Sequence, residues 1–291
     1  MEILQPTKNV FVATKLRGCN PGFVVTSEGV VCIDIPMDLF RVEPWKEEIS
    51  KRGKLRYIIT TEFHFDHNMT NGLFDAPVIA SEITSEFMAE TNNELWLRTQ
   101  TDRLYDDVPV PLPSIEEYRR GLPTITFSDR LTLRLGNHTF QIMLMPGHTP
   151  GQTSVYIPEE EVLFASDNMS TAQSGGLSHD IRSPDVYLET LETYKKLKPR
   201  FIACGHGDHV TSDIDFYIDR RASLTREMVA AVKKCKAEGL SVDEAVERFA
   251  KLFPPAKRPP EEGYSTRPAT PYERRRSMVH WYQVIGGNTS W

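Results

Sequence analysis

The 291-residue sequence has no long apolar run. No window carries the roughly 20 consecutive apolar residues a membrane helix needs, so no membrane span is expected. Paired cysteines are also missing. Cys19, Cys32, Cys204 and Cys235 are scattered without CxxC spacing, which argues for reduced thiols rather than a disulfide framework. There is no excess of positive charge: 34 basic and 40 acidic residues give a formal net charge of -6. Such a chain gains no general electrostatic attraction to nucleic acid or anionic membranes. The start, Met1-Glu2-Ile3-Leu4-Gln5-Pro6-Thr7-Lys8, lacks a charged stretch followed by an apolar run and a cleavage site. A cytoplasmic protein without nucleic-acid or membrane partners is the expectation.

What is present is ordinary soluble composition, 25% charged and 40% hydrophobic, with one dense stretch of chemistry. Thr60-Thr61-Glu62-Phe63-His64-Phe65-Asp66-His67-Asn68 places four metal-donor side chains within six residues. It follows Leu55-Arg56-Tyr57-Ile58-Ile59, which reads as a buried strand. On extended backbone Glu62, His64 and Asp66 share a face, and His67 turns with the chain. Burying two imidazoles and two carboxylates together is costly unless a metal compensates them, so a metal site is favoured over a solvated loop.

The rest of the chain alternates strands and helices. Short β-rich runs broken by Gly, Asn and Pro fill residues 9–35. Asp34 ends the third of them, either orienting a ligating histidine or serving as a turn aspartate. Residues 43–52 read as a helix with Pro44 in its first turn. A strand at 77–81 and a helix from Glu82 to Glu90 follow. Residues 91–123, with spaced prolines and large side chains, form an irregular excursion, either a lid or pocket wall or a packed surface loop. Strands return at 124–127, 131–135 and 139–145, with Gly136-Asn137-His138 as a hairpin turn that puts His138 on the surface. Pro146-Gly147-His148-Thr149-Pro150-Gly151 follows a strand, Ser166-Asp167-Asn168 ends another, and Gly205-His206-Gly207-Asp208-His209 ends a third. Helices are expected at 185–197, 213–238 and 241–252, with Gly239 as a stop between the last two. The tail from Pro254, rich in Pro and Arg, packs either on its own domain or on a second copy, which would make a homodimer.

Seven donors thus stand at strand ends: Glu62, His64, Asp66, His67, His148, Asp167 and His206. Their order and placement resemble the metallo-β-lactamase superfamily over residues 9–210. The resemblance rests on Glu62-x-His64-x-Asp66-His67, Pro146-Gly147-His148-Thr149-Pro150-Gly151, Ser166-Asp167 and Gly205-His206-Gly207. It implies an α/β fold, the αββα four-layer sandwich, with residues 1–210 as the core, 91–123 as an insertion and 211–291 as a C-terminal helical extension. It implies two divalent metal ions. Position 62, His64 and His148 would hold one, Asp66, His67 and His206 the other, with Asp167 bridging. That aspartate is similar to the glyoxalase II and lactonase branches.

Glu62 departs from the family, which usually has histidine there. A carboxylate is a harder donor, so manganese or iron is favoured beside zinc; alternatively Glu62 does not bind and one metal suffices. The reaction implied is hydrolysis of a small lactone, thioester, amide or ester by a metal-bridging hydroxide, with Asp66 orienting the nucleophile or carrying its proton. An iron-dependent oxidoreductase of the same superfamily is the alternative. His179 either binds substrate or is a surface histidine. His209 is the weaker rival of His206, and Cys204 is expected to be a buried strand residue.

Overall fold

The computed structural model describes residues 1–90, 120–170, 181–253 and 271–285. Most of the 91–123 excursion, His179 and residues 254–270 of the tail lie outside the described residues. Seven strands form one sheet in sequence order: β1 (Glu2–Leu4), β2 (Val10–Thr14), β3 (Gly22–Thr26), β4 (Gly29–Ile33), β5 (Leu55–Ile59), β6 (Val78–Ser81) and β7 (Ile125–Phe127). Five form the other: β8 (Arg130–Leu135), β9 (His138–Leu144), β10 (Thr153–Ile157), β11 (Val162–Ser166) and β12 (Phe201–Cys204). Strand β7 pairs with β6 and closes the first sheet.

The apolar runs explain the layering. In β2 the whole of Val10-Phe11-Val12-Ala13 is buried, because both sheet faces are covered. Val12, Val24 and Ile33 meet Phe140, Val155 and Phe164 between the sheets. Phe11 and Phe23 point the other way, onto Val42, Trp45 and Ile49 of helix α1 (Leu39–Ser50). Each such fully buried apolar side chain contributes about 1.5–3 kcal/mol relative to exposure. The outer face of the second sheet packs Leu163 and Ile202 against Leu191 and Tyr194 of α4 (Pro184–Leu197) and Ile218 of α5 (Ile214–Ala237). Between α1 and α4 in the chain lie α2 (Phe65–Asn68) and α3 (Glu82–Glu90). The expected αββα sandwich is the observed one. By contrast β8 alternates, with Thr132 and Arg134 exposed, as an edge strand should.

The C-terminal helices join the same outer layer. Helix α6 (Val242–Leu252) starts on a capping box, Ser241 with Glu244. Helix α7 (Pro271–Val284) buries Met278 and Trp281, and Ile285 follows, in the cluster that holds Leu163 and Ile202. No helix among the described residues is long and apolar enough to cross a membrane.

Three local expectations are corrected. Helix α1 begins at Leu39, so Pro44 lies inside it rather than in its first turn. A mid-helix proline loses one hydrogen bond, but burial of Val42 and Trp45 on either side carries the helix through. His138 is only 3% exposed. The hairpin turn is Gly136-Asn137 alone, so His138 opens β9 opposite Leu135 and its Nε2 donates to Glu160 at 2.8 Å. Finally, the metal-like stretch is not extended throughout. Strand β5 stops at Ile59, and Asp66 and His67 sit in the helical turn α2 with His64 as its N-cap.

The site follows from two parallel pairs. Strands β4 and β5 run parallel, as do β11 and β12. Parallel neighbours bring their carboxyl ends to one edge. Asp34 and Thr60 thus emerge together from the first sheet, and Ser166 and Gly205 from the second.

Candidate metal centre

Asp34 and Ser166 leave their strands in the left-handed region, at φ 54° and 48°. Such conformations cost about 1–3 kcal/mol each in non-glycine residues and persist where surrounding bonds hold them. Thr61 supplies those bonds. Its N–H donates to Asp34 Oδ1 at 2.8 Å, and its hydroxyl lies 2.7 Å from both Asp34 Oδ2 and Ser166 Oγ. Asp34 then accepts from His67 Nδ1 at 2.9 Å. This fixes the ring so that Nε2 faces the interior, and it settles the role of Asp34 as an orienting carboxylate rather than a simple turn residue.

Glu62 is fully buried, with Oε1 2.8 Å from His64 Nδ1, 3.4 Å from His67 Nε2 and 3.8 Å from His148 Nε2. His148 Nε2 lies 3.2 Å from His64 Nδ1 and 3.5 Å from Asp167 Oδ2. On the other side, His206 Nε2 stands 3.2 Å from both Asp66 Oδ2 and Asp167 Oδ2. His67 Nε2 is 3.5 Å from Asp167 Oδ1 and 3.9 Å from Asp66 Oδ2. All seven side chains expected from the sequence are therefore brought together. Their donor atoms fall into groups within 4.8 Å: Glu62, His64 and His148; Asp66, His67 and His206; Glu62, His67 and Asp167.

Donor chemistry fits cations here. His67 Nε2 and Asp167 Oδ1 are buried without any hydrogen-bond partner, and buried polar atoms are rarely left so. Burial alone would raise the carboxyls, yet the imidazoles of His206 and His67 hold Asp167 well below its usual range, and those of His64, His67 and His148 lower Glu62. Burial alone would lower the imidazoles, yet Asp167 and Asp66 push His206 up to about 10. Three ionised carboxylates thus demand positive charge in one small buried space. Divalent cations replace protons in such a set.

Two of the donor-bearing loops are braced by asparagines. Asn68 Nδ2 donates to the carbonyls of His64 and Glu62 at 2.7 and 3.3 Å. Asn168 accepts from the His148 N–H at 2.8 Å and donates to Met145 O and Tyr194 Oη. Asparagine directly beside a ligand-rich motif was the one available signal. His209 turns away: its Nδ1 accepts from Cys204 N–H at 3.2 Å, and burial holds it down at about 4. Cys204 is a buried strand residue as expected, and Cys19, Cys32, Cys204 and Cys235 are all free and buried.

Comparisons with known proteins agree with this geometry. Residues 15–206 match the family model of the metallo-beta-lactamase superfamily. A beta-lactamase-like protein 2 homolog from Caenorhabditis elegans is 25% identical over 139 residues, covering 46% of each chain. The human acyl-coenzyme A thioesterase MBLAC2 is 26% identical over 125 residues, covering 42% of this chain and 43% of that protein. The chain thus aligns with less than half the length of each of these relatives. Among solved structures, a metallo-beta-lactamase family protein from Thermus thermophilus superposes with a TM-score of 0.65 at 17% identity, over 95% of this chain and 93% of that one. With the family model running across strands β3 to β12 and all seven donor residues, the chain belongs to the metallo-beta-lactamase superfamily.

Proposed function

We propose that the chain is a dinuclear metal-dependent hydrolase acting on a small carbonyl substrate, a thioester first among lactones, esters and amides. The observation that carries this reading is the convergence of seven donors, two of whose buried atoms, His67 Nε2 and Asp167 Oδ1, make no hydrogen bond. Glu62, His64 and His148 would hold one divalent ion and Asp66, His67 and His206 the other, with the Asp167 carboxylate within reach of both sets. When bound, such ions supply Lewis acidity and acidify a water to near neutral pH. Zinc accepts this set, and three carboxylates also favour manganese or iron.

The chain's own residues do the rest. Asp66, kept ionised by His67 and His206 against the effect of burial, orients the attacking water and carries its proton toward the leaving group. Asp34 and Thr61 hold the His67 ring in register. Phe63 stacks on Phe87 at 4.5 Å and lies edge-on to His64, giving the substrate an apolar wall. A cavity of about 260 Å³ lined by Ile83, Pro146, Pro150 and Val186 lies beside the His148 loop. It suits the apolar part of an acyl group. The similarity to a thioesterase supports the same choice.

Metal analysis with a panel of lactones, thioesters, β-lactams and phosphodiesters tests the reading. Thioester hydrolysis that vanishes with His148→Ala or Asp167→Ala is expected; full activity in a metal-free variant contradicts it. The three carboxylates also suit an iron-dependent oxidoreductase. Oxygen consumption by iron-loaded protein would favour that second reading, and activity with zinc alone removes it.

A further inference from the structure

His206 sits on the turn that follows β12. Gly205 N–H donates inward to Ser166 O and Met169 O. The outward carbonyls of the turn are gripped from 184 residues away. Asn20, 6% exposed, donates its side-chain amide to Cys204 O at 3.1 Å and Gly207 O at 2.8 Å, and its N–H to Gly205 O at 2.7 Å. Two residues earlier, Gly18 O accepts from His206 Nδ1 at 2.8 Å, leaving Nε2 to face Asp66 and Asp167.

We propose that Asn20 is the positioning residue of the second metal half, fixing the turn that presents His206 and so setting affinity for the ion held with Asp66 and His67. The inference rests on the dinuclear reading above. It concerns one half only, because the Glu62, His64 and His148 half is braced by Asn68 and Asn168. Residues that orient a ligand from behind typically change metal affinity about 10–100-fold.

The test is zinc titration of the metal-free full chain against a chromophoric chelator, for wild type, Asn20→Ala and Asn20→Asp. Asn20→Asp keeps the shape but replaces the donor with a carboxylate oxygen that faces the same two carbonyls and repels them. Both variants should keep the affinity of one ion within about twofold and lose about 10–100-fold on the other. Wild-type affinity for both ions in Asn20→Asp would show that shape alone matters and overturn the proposal. Parallel weakening of both ions, or failure of both variants to fold by circular dichroism, would make Asn20 a general structural residue and overturn it equally. Wild-type protein that takes up fewer than two ions contradicts the dinuclear reading before any substitution is made, and this inference falls with it.

Discussion

Glu62 shows why single residues matter in this centre. It contributes a negative charge among three imidazoles, touching His64, His67 and His148 at once. Replacing it with Gln keeps the shape and removes the charge. Glu62→Gln should therefore drop metal uptake from about two equivalents toward about one, read by elemental analysis; unchanged uptake would mean that Glu62 is not a ligand. A second residue offers a pH test. Asp38 is buried, its Oδ1 has no hydrogen-bond partner, and burial pushes its carboxyl up to about 6 despite Arg17 and Arg41. The folded state then binds the proton more tightly than the unfolded chain, so this group costs stability as pH rises through the interval from about 3.9 to about 6. Asp38→Asn should raise the melting temperature at pH 7.5 and leave it nearly unchanged at pH 4; equal effects at both pH values would contradict the assignment. The seven donors were legible as a sequence pattern because they cluster at strand ends. Asn20 and Thr61 were not, since their meaning depends on partners up to 187 residues away.

Strands and turns position those residues, and here legibility depended on local chemistry. The buried runs of β2, β4 and β11 read directly as strands. The helical turn α2 did not, because a four-residue helix has no periodicity to detect. His138 was misplaced by one residue, since a two-residue turn already closes at Asn137. Glycine at 205 permits a close approach of two chain segments. A Cβ there would lie 1.8 Å from Asp167 Oδ1 and 2.8 Å from its backbone nitrogen. Gly205→Ala must displace either the β11 end or the His206 turn, so both ions should be lost while the far-UV spectrum is retained; normal zinc binding by this variant would refute the packing. Trp281 of α7 anchors the C-terminal layer beside Phe249, with ring centroids 5.0 Å apart. Trp281→Ala should cost about 3–5 kcal/mol of stability by denaturant unfolding, and a cost below about 1 kcal/mol would detach that helix from the shared core.

At the scale of the whole molecule, the centre ties the two sheets together, since its donor residues come from loops of both. Binding to the native state alone adds about 2.7 kcal/mol of stability for an ion at about 100 times its Kd. Metal removal should therefore lower the melting temperature by several degrees, and readdition of zinc or manganese should restore it. The most direct measurement is metal stoichiometry followed together with thioester hydrolysis as metal-free protein is titrated with zinc, manganese or iron(II). We predict activity that rises with occupancy and saturates at about two ions per chain, as two adjacent three-residue donor groups require. Hydrolysis that persists without metal, or a folded protein that takes up none, would contradict it.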